Sequence, residues 1–314
     1  MIIVTGGAGF IGSNLVRGLN ARGERDILVV DDLTDGHKFE NLADCDIADY
    51  WDKDLLQRRL ATGLKFRPSC VFHQGACSVT TEWNGRFMMD TNYRYSAELL
   101  EFCVENSIPF IYASSAAVYG ASPVFREEAE FERPLNVYGY SKLLFDRYVG
   151  RKLGELGSQV VGLRYFNVYG PGEAHKGGMA SIAWHLNKQI KEHGEARLFE
   201  GSGGYAAGEQ RRDFIYVDDV VNVNLWFSDH PDRSGVFNVG TGNAASFNDV
   251  ARAAIDWHGR GEIVYIPFPE SLEHSYQSFT EADTGKLRAA GYDADFAGVD
   301  SGVRAYLDRL AGAQ

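Results

Sequence analysis

Tyr138 and Lys142 stand in the stretch NVYGYSK, residues 136–142. Four residues apart on a helix they share one face, and an ammonium beside a phenol favours the phenolate. A base usable near neutral pH needs the tyrosine pKa lowered from about 10 to about 7, roughly 4 kcal/mol of preference for the anion, more than one lysine ordinarily supplies. The spacing alone carries little information, since a chain this long shows Y-x-x-x-K roughly once by chance. A second copy is present, Tyr148 and Lys152. At about 100° per residue it is turned about 80° from the first, so the two pairs cannot face one substrate.

The elements that must position such a pair are legible as alternation. IIVTG, ILVVDD, CVFHQGA, IPFIYASS and QVVGLRYFNV are apolar, β-branched runs separated by helix-sized intervals, the pattern of a parallel sheet covered on both faces. This is an α/β, doubly wound architecture. DFIYVDD and GVFNVGT are expected to return to the sheet, whereas the Gly-rich EAHKGGMAS, the helical SIAWHLNKQIKEH and GSGGYAAGE belong elsewhere. The expected division is a dinucleotide lobe, residues 1–167 with 212–241, and a smaller discontinuous α/β substrate lobe, residues 168–211 with 242–314.

Between the first strand and the first helix lies TGGAGFIGSNLV, with Gly6, Gly9 and Gly12 at three-residue spacing. Glycines there allow a tight turn and close backbone approach to a pyrophosphate, whose charge the helix N-terminus attracts. The second strand ends in Asp31 and Asp32, where an acid meets the adenosine ribose. A carboxylate there favours NAD; Lys38, a few residues on, favours the extra phosphate of NADP.

A net charge of -12 argues against nucleic-acid or anionic-membrane partners. The chain lacks a run of about 18 apolar residues to span a bilayer and opens directly into a strand, so a cytoplasmic protein is expected. Cys45, Cys70, Cys77 and Cys103 have no C-x-x-C spacing and sit in or beside apolar stretches, which reads as reduced packing cysteines and no metal site.

TGGAGFIG, ASSAAVYG and the Tyr138/Lys142 pair together resemble the extended short-chain dehydrogenase/reductase superfamily. In that family the active tyrosine lies some twenty-odd residues past a serine-rich strand end, and Tyr138 is 23 residues past Ser115. Tyr148 is then a packing or surface residue. HQGACSVTTEWNG, PLNVYGYSK, RYFNVYGPGEAHKGGMAS, LFEGS and RRDFIYV narrow the resemblance to the ADP-L-glycero-D-manno-heptose 6-epimerases, which act in lipopolysaccharide core synthesis. The resemblance implies NADP, with NAD possible, a nucleotide-sugar substrate and a homo-oligomer, a pentamer.

It also implies roles. Such an enzyme oxidises the secondary alcohol at the sixth sugar carbon and returns the hydride to the other face of the ketone. The cofactor face is fixed, so two proton carriers are needed, one for each orientation of the exocyclic carbon. Tyr138 is one, with Lys142 lowering its pKa and binding the ribose, and Lys176 in EAHKGGM is the other. Ser115 hydrogen-bonds the substrate oxygen. Phe10, Ile11, Lys38, Lys53, Gln74, Gly75, Ala76, Cys77, Ser78 and Asn92 are expected at the cofactor. Asn167, Gly178, His185, Phe199, Glu200, Gly201, Ser202, Arg212 and Tyr276 are expected at the substrate, Arg212 gripping the pyrophosphate unless Asp213 claims it. Three positions depart from the pattern: Asp32 replaces a frequent asparagine and adds negative charge near the ribose, Gly178 replaces a frequent serine, and GGYAAGEQ is insertion-like.

Rival readings are discriminated by residues. A sugar dehydratase of the superfamily usually carries an Asp-Glu pair after the Ser115 position, but Ala116 and Ala117 follow here. A UDP-hexose 4-epimerase swings the whole sugar and leaves Lys176 idle. A non-catalytic nucleotide-binding regulator has no use for Ser115, Tyr138 and Lys142 together.

Overall fold

The computed structural model describes residues 1–154, 157–269 and 277–312. Strands β1 (Ile2–Thr5), β2 (Ile27–Asp31), β3 (Asp49–Asp52), β4 (Cys70–His73), β5 (Phe110–Ser115) and β6 (Val160–Tyr165) fill the first half. They are followed by β7 (Asn167–Tyr169), β8 (Glu195–Phe199), β9 (Arg211–Arg212), β10 (Phe214–Tyr216), β11 (Gly235–Val239), β12 (Ala245–Ser246) and β13 (Glu262–Ile266). Seven strands form one sheet in the order β11-β6-β5-β4-β1-β2-β3, each pair parallel. Every residue of β2 is buried, the cause of its unbroken apolar run: both faces of a parallel sheet are covered.

The helices are α1 (Phe10–Ala21), α2 (Lys53–Thr62), α3 (Gly85–Met89), α4 (Tyr95–Glu105), α5 (Val137–Lys152), α6 (Ile182–His193), α7 (Val217–Asp229), α8 (Phe247–His258), α9 (Gly285–Ala289) and α10 (Val299–Gly312). Successive side chains of a strand point to opposite faces. Thus Val4 and Val29 pack with Leu15 and Val16 of α1 and Val220 and Val221 of α7, while Ile3 and Leu28 pack with Leu99 and Leu100 of α4 and Phe145 and Val149 of α5. A further core joins α6, α8, α10, β8 and β10 through Leu186, Val250, Tyr306, Leu198 and Phe214. No described helix is long and apolar enough to cross a membrane.

This is a Rossmann-type doubly wound fold. The chain leaves β1 toward β2 and β3, then returns to pair β4 with the other side of β1. The loops after β1 and β4 therefore diverge, opening a crevice at the carboxyl ends of the strands. Two elements differ from the sequence reading. GVFNV rejoins the sheet as β11, but FIY, as β10, pairs only with β7. The Phe166 N–H is bonded to Val239 O, and directly after it the chain turns away from the central ladder. The edge strand β3, DYWD, is short and half-exposed and has no apolar run to announce it.

Candidate active site

A cleft of about 1270 Å³ opens where the loops after β1 and β4 part. Its floor is the glycine loop: Gly6, Gly9, Phe10, Ile11 and Gly12 line it. A Cβ at Gly12 would lie 2.1 Å from Gly6 O, so only glycine allows this approach of helix and loop. Gly9 caps α1 with no side-chain hydrogen bond, which leaves the first-turn N–H groups for an anion. A nicotinamide dinucleotide pyrophosphate fits this cradle.

The ribose corner is built differently from the simple expectation. Asp31 is buried and already engaged: Oδ2 accepts the Ala8 N–H at 2.7 Å and Oδ1 accepts Lys38 Nζ at 2.6 Å. Asp32 accepts Lys53 Nζ at 2.5 Å and the Thr34 N–H at 2.9 Å. The Lys53 bond, then the bonds from Thr34, hold the Asp32 carboxyl far below the usual carboxylate range. All four of these side chains line the cleft.

Gln74, Gly75, Ala76, Cys77 and Ser78, following β4, form the next wall. Asn92 does not reach the cleft. It is 1% exposed, in a π-turn (Asp90–Arg94) ahead of α4, and its Oδ1 accepts the Cys77 N–H at 2.8 Å. Its Nδ2 faces Cys77 O at 2.9 Å and Ser141 Oγ at 3.1 Å, and Ser141 donates to Tyr138 O. Asn92 thus ties the wall to the helix bearing the tyrosine, a use of an irregular turn common near functional sites.

NVYGYSK opens a helix because Asn136 caps it, Oδ1 accepting the Gly139 N–H at 2.8 Å. A Cβ at Gly139 would stand 2.5 Å from Ala117 O, so the first turn of α5 presses against the turn after Ser115. Ser115, Tyr138 and Lys142 all line the cleft. Burial raises the Tyr138 pKa, the Ser115 hydrogen bond lowers it, and Cys77 raises it. Lys142 is 4% exposed and gives its ammonium to Ala113 O at 2.8 Å. Burial pushes its own pKa down to about 8, against the opposing pull of Asp146 and then Cys77. The second pair is spent elsewhere, Tyr148 and Lys152 both binding Glu101 across α4 and α5.

Asn167 and Lys176 complete the lining residues expected from sequence. Lys176 lies on the segment after β7, its Nζ 5.3 Å from the Phe10 ring centroid. Burial lowers its pKa, and Glu173 opposes that. Tyr138 and Lys176 therefore enter one cleft from different elements.

The other expected substrate residues that are described do not line the cleft. Gly178 is exposed. His185 is half-buried on α6 beside Trp184, ring centroids 5.0 Å apart. Phe199 ends β8 and Glu200, Gly201 and Ser202 follow it, where Gln210 Nε2 bonds Glu200 O and Ser202 Oγ. GGYAAGEQ folds back on them through Gly208 N–H to Phe199 O. Arg212 sits 5.8 Å from the centroid of Phe247, which does line the cleft, and donates to Arg211 O. Asp213 is spent on Thr241, Gly242 and Ala282. Tyr276 lies outside the described residues. Sequence reasoning missed Phe214, Phe247, Gln277 and Thr280 in the lining; the hydrogen bond from Thr280 Oγ1 to Asn167 Oδ1 at 3.3 Å joins positions too distant along the chain to be paired by pattern.

Residues 2–240 match the NAD dependent epimerase/dehydratase family. The ADP-L-glycero-D-manno-heptose-6-epimerase of Alkalilimnicola ehrlichii is 61% identical over 314 residues, covering 100% of this chain and 98% of that protein. The crystal structure of the Helicobacter pylori ADP-L-glycero-D-manno-heptose-6-epimerase superposes with a TM-score of 0.85 at 33% identity, covering 99% of this chain and 96% of that one. The Thermus thermophilus UDP-glucose 4-epimerase complex with NAD gives 0.78 at 28% identity, covering 100% and 99%. With a phosphate cradle, a serine–tyrosine–lysine constellation and a second, half-buried lysine in one cleft, the chain belongs to the NAD dependent epimerase/dehydratase family and, within it, to the ADP-L-glycero-D-manno-heptose-6-epimerases.

Proposed function

We propose that this chain interconverts ADP-D-glycero-D-manno-heptose and ADP-L-glycero-D-manno-heptose by oxidising and re-reducing the sixth sugar carbon. The observation that carries the reading is the presence of two proton carriers, Tyr138 and Lys176, in the cleft that holds the glycine loop. A bound nicotinamide supplies hydride acceptance and return, and its oxidised form adds the positive charge that favours a phenolate. Tyr138 moves the proton of the substrate oxygen in one pose, with Ser115 bonded to both the phenol and that oxygen. After rotation about the exocyclic single bond the ketone oxygen reaches Lys176, which as the ammonium gives it a proton as the carbon is re-reduced; burial lowers the Lys176 pKa, which favours the neutral amine that takes the proton in the reverse direction. Lys142 binds the ribose and holds the wall through Ala113 O. Ala116 and Ala117 leave no carboxylate pair after Ser115 for water loss, which disfavours dehydration.

The experiment is to incubate the protein with ADP-D-glycero-D-manno-heptose without added oxidant and follow the side-chain protons by NMR. Appearance of the epimer supports the reading. Failure alongside turnover of UDP-galactose moves the assignment to hexose 4-epimerisation.

We propose NADP as the dinucleotide. Lys38 and Lys53 neutralise Asp31 and Asp32, removing the repulsion a ribose phosphate would otherwise meet. Calorimetric titration should give tighter binding of NADP than of NAD, and Lys38→Ala should erase the difference; tighter NAD binding in the native chain overturns this choice. Residues 1–167 with 212–241 are proposed as the cofactor lobe, residues 168–211 with 242–314 as the substrate lobe, and the assembly as a homo-oligomer, which sedimentation velocity tests.

A further inference from the structure

Glu173 is fully buried and, among the described residues, no lysine or arginine is bonded to its carboxylate. An isolated buried carboxylate is costly unless its oxygens are satisfied. Three donors do so: the Gly170 N–H at 3.3 Å, the Ser181 N–H at 2.5 Å and Ser181 Oγ at 2.7 Å. Gly170 and Ser181 are the two ends of one segment, the segment that carries Lys176. The backbone of Glu173 acts as well, since its carbonyl accepts the Lys176 N–H at 3.0 Å. Two further bonds fasten the segment to the glycine-loop side: Asn14 Nδ2 to Pro171 O at 2.7 Å, and Asn41 Nδ2 to Gly172 O at 3.0 Å.

We propose that Glu173 is a positioning residue for Lys176: its buried carboxylate draws both ends of the 170–181 segment together and its carbonyl sets the backbone of the lysine. The inference rests on the reading of Lys176 as the second proton carrier. Glutamine replaces this carboxylate only imperfectly: with its amide oxygen on the Ser181 N–H, its amide nitrogen would face the Gly170 N–H, donor against donor, and the Ser181 hydroxyl would have to turn from donor to acceptor. Displacing a proton carrier by about 1 Å can cost on the order of 100-fold in rate. The charge matters separately. Charged and titratable neighbours of the lysine are Glu173 and His175 on its own segment, His175 being influenced in turn by Lys38 and Asp31; Tyr306 of α10 faces Glu173. Glu173 opposes the burial that lowers the Lys176 pKa, so removing its charge lowers that pKa further.

The test compares the full chain with Glu173→Gln, Ser181→Ala and Lys176→Met, reading kcat against pH, KM, and the cofactor Kd. Glu173→Gln is expected to lower kcat roughly 10- to 100-fold, leave the cofactor Kd unchanged, and move the Lys176 limb of the pH profile to lower pH. Ser181→Ala removes one donor while keeping the charge, so it should lower kcat less and leave that limb in place. Glu173→Gln with native kcat and an unmoved limb, beside an inactive Lys176→Met, overturns this proposal alone. An active Lys176→Met overturns the role of the lysine and the proposal with it. If Glu173→Gln does not accumulate folded, Ser181→Ala carries the test, and native kcat in that variant overturns the clamp.

Discussion

Lys142→Met turns the buried ammonium into a measurable cost. Lys142 is 4% exposed, and burial takes its pKa from an ordinary 10.5 to about 8. Holding it charged in the fold therefore costs about 3 kcal/mol, at about 1.36 kcal/mol per pH unit. Between the two values the unfolded chain binds more protons than the folded one, so the contribution of this lysine to stability rises with pH. From pH 7 to pH 10 the native chain should gain about 2.5 kcal/mol relative to Lys142→Met, which has nothing to titrate there. Other tyrosines and lysines titrate over this range, but they cancel in the difference between the two proteins. Methionine also deletes the bond to Ala113 O, which shifts the absolute stability of the variant but not its slope with pH. Urea unfolding of both proteins at the two pH values measures the quantity directly. A difference that stays constant within about 0.5 kcal/mol would show that the ammonium is well solvated or well compensated, and the electrostatic account of the site would fail. Turnover of the variant should fall at least about 100-fold, the scale of a lost acid–base partner.

Asp146 is buried and accepts from Tyr112 OH at 3.0 Å, Ser114 Oγ at 2.8 Å and Arg164 Nε at 2.9 Å. Asp146→Ala leaves the Arg164 guanidinium buried with one of its two carboxylates and should cost about 3–5 kcal/mol in urea unfolding; a loss below about 1 kcal/mol contradicts this. His73, bonded to Thr5 Oγ1 at 2.6 Å and Ser96 Oγ at 2.7 Å, has its pKa pushed down to about 3 by burial and then by Lys142. Its contribution is complete above about pH 6.5 and is lost as pH falls toward about 3, so His73→Asn should lose about 3 kcal/mol less than the native chain between pH 7 and pH 4. Parallel stability curves would refute it. Asn136→Ala removes the α5 cap at 2.8 Å and should lower stability by about 1 kcal/mol, with a larger fractional loss of kcat because Tyr138 sits in the uncapped turn; native kcat counts against that coupling.

What could be read from the chain followed from local rules. The glycine triplet identified itself by lying between an apolar strand and a helix, β2 by its aliphatic run ILVV, and β5 by the apolar FIYA. The choice of Tyr138 over Tyr148 came from the family resemblance, which sets the distance of the active tyrosine from Ser115, and the Glu101 clamp shows where the rejected pair goes. What escaped was non-local. Asp31 looks like a ribose acid, but its carboxylate is taken by Ala8 and Lys38, partners that only folding supplies. Lys142 looks like an activating charge, but its burial, which only folding sets, weakens its own protonation. Glu173 is one letter in a Gly-rich stretch, and no pattern announces that its oxygens meet Ser181. Phe247 and Thr280 reach the cleft from a region with no periodic link to β5 or α5.

The central claim is that the hydrogen on the sixth sugar carbon leaves as hydride, stays on the captive nicotinamide and returns to the same carbon. Mass and NMR analysis of product formed from ADP-D-glycero-D-manno-heptose in D2O tests this in one measurement. The account predicts epimerisation to equilibrium with the original hydrogen retained at that carbon. Deuterium at the inverted centre would mean that a proton, not a hydride, was exchanged, and would contradict the account.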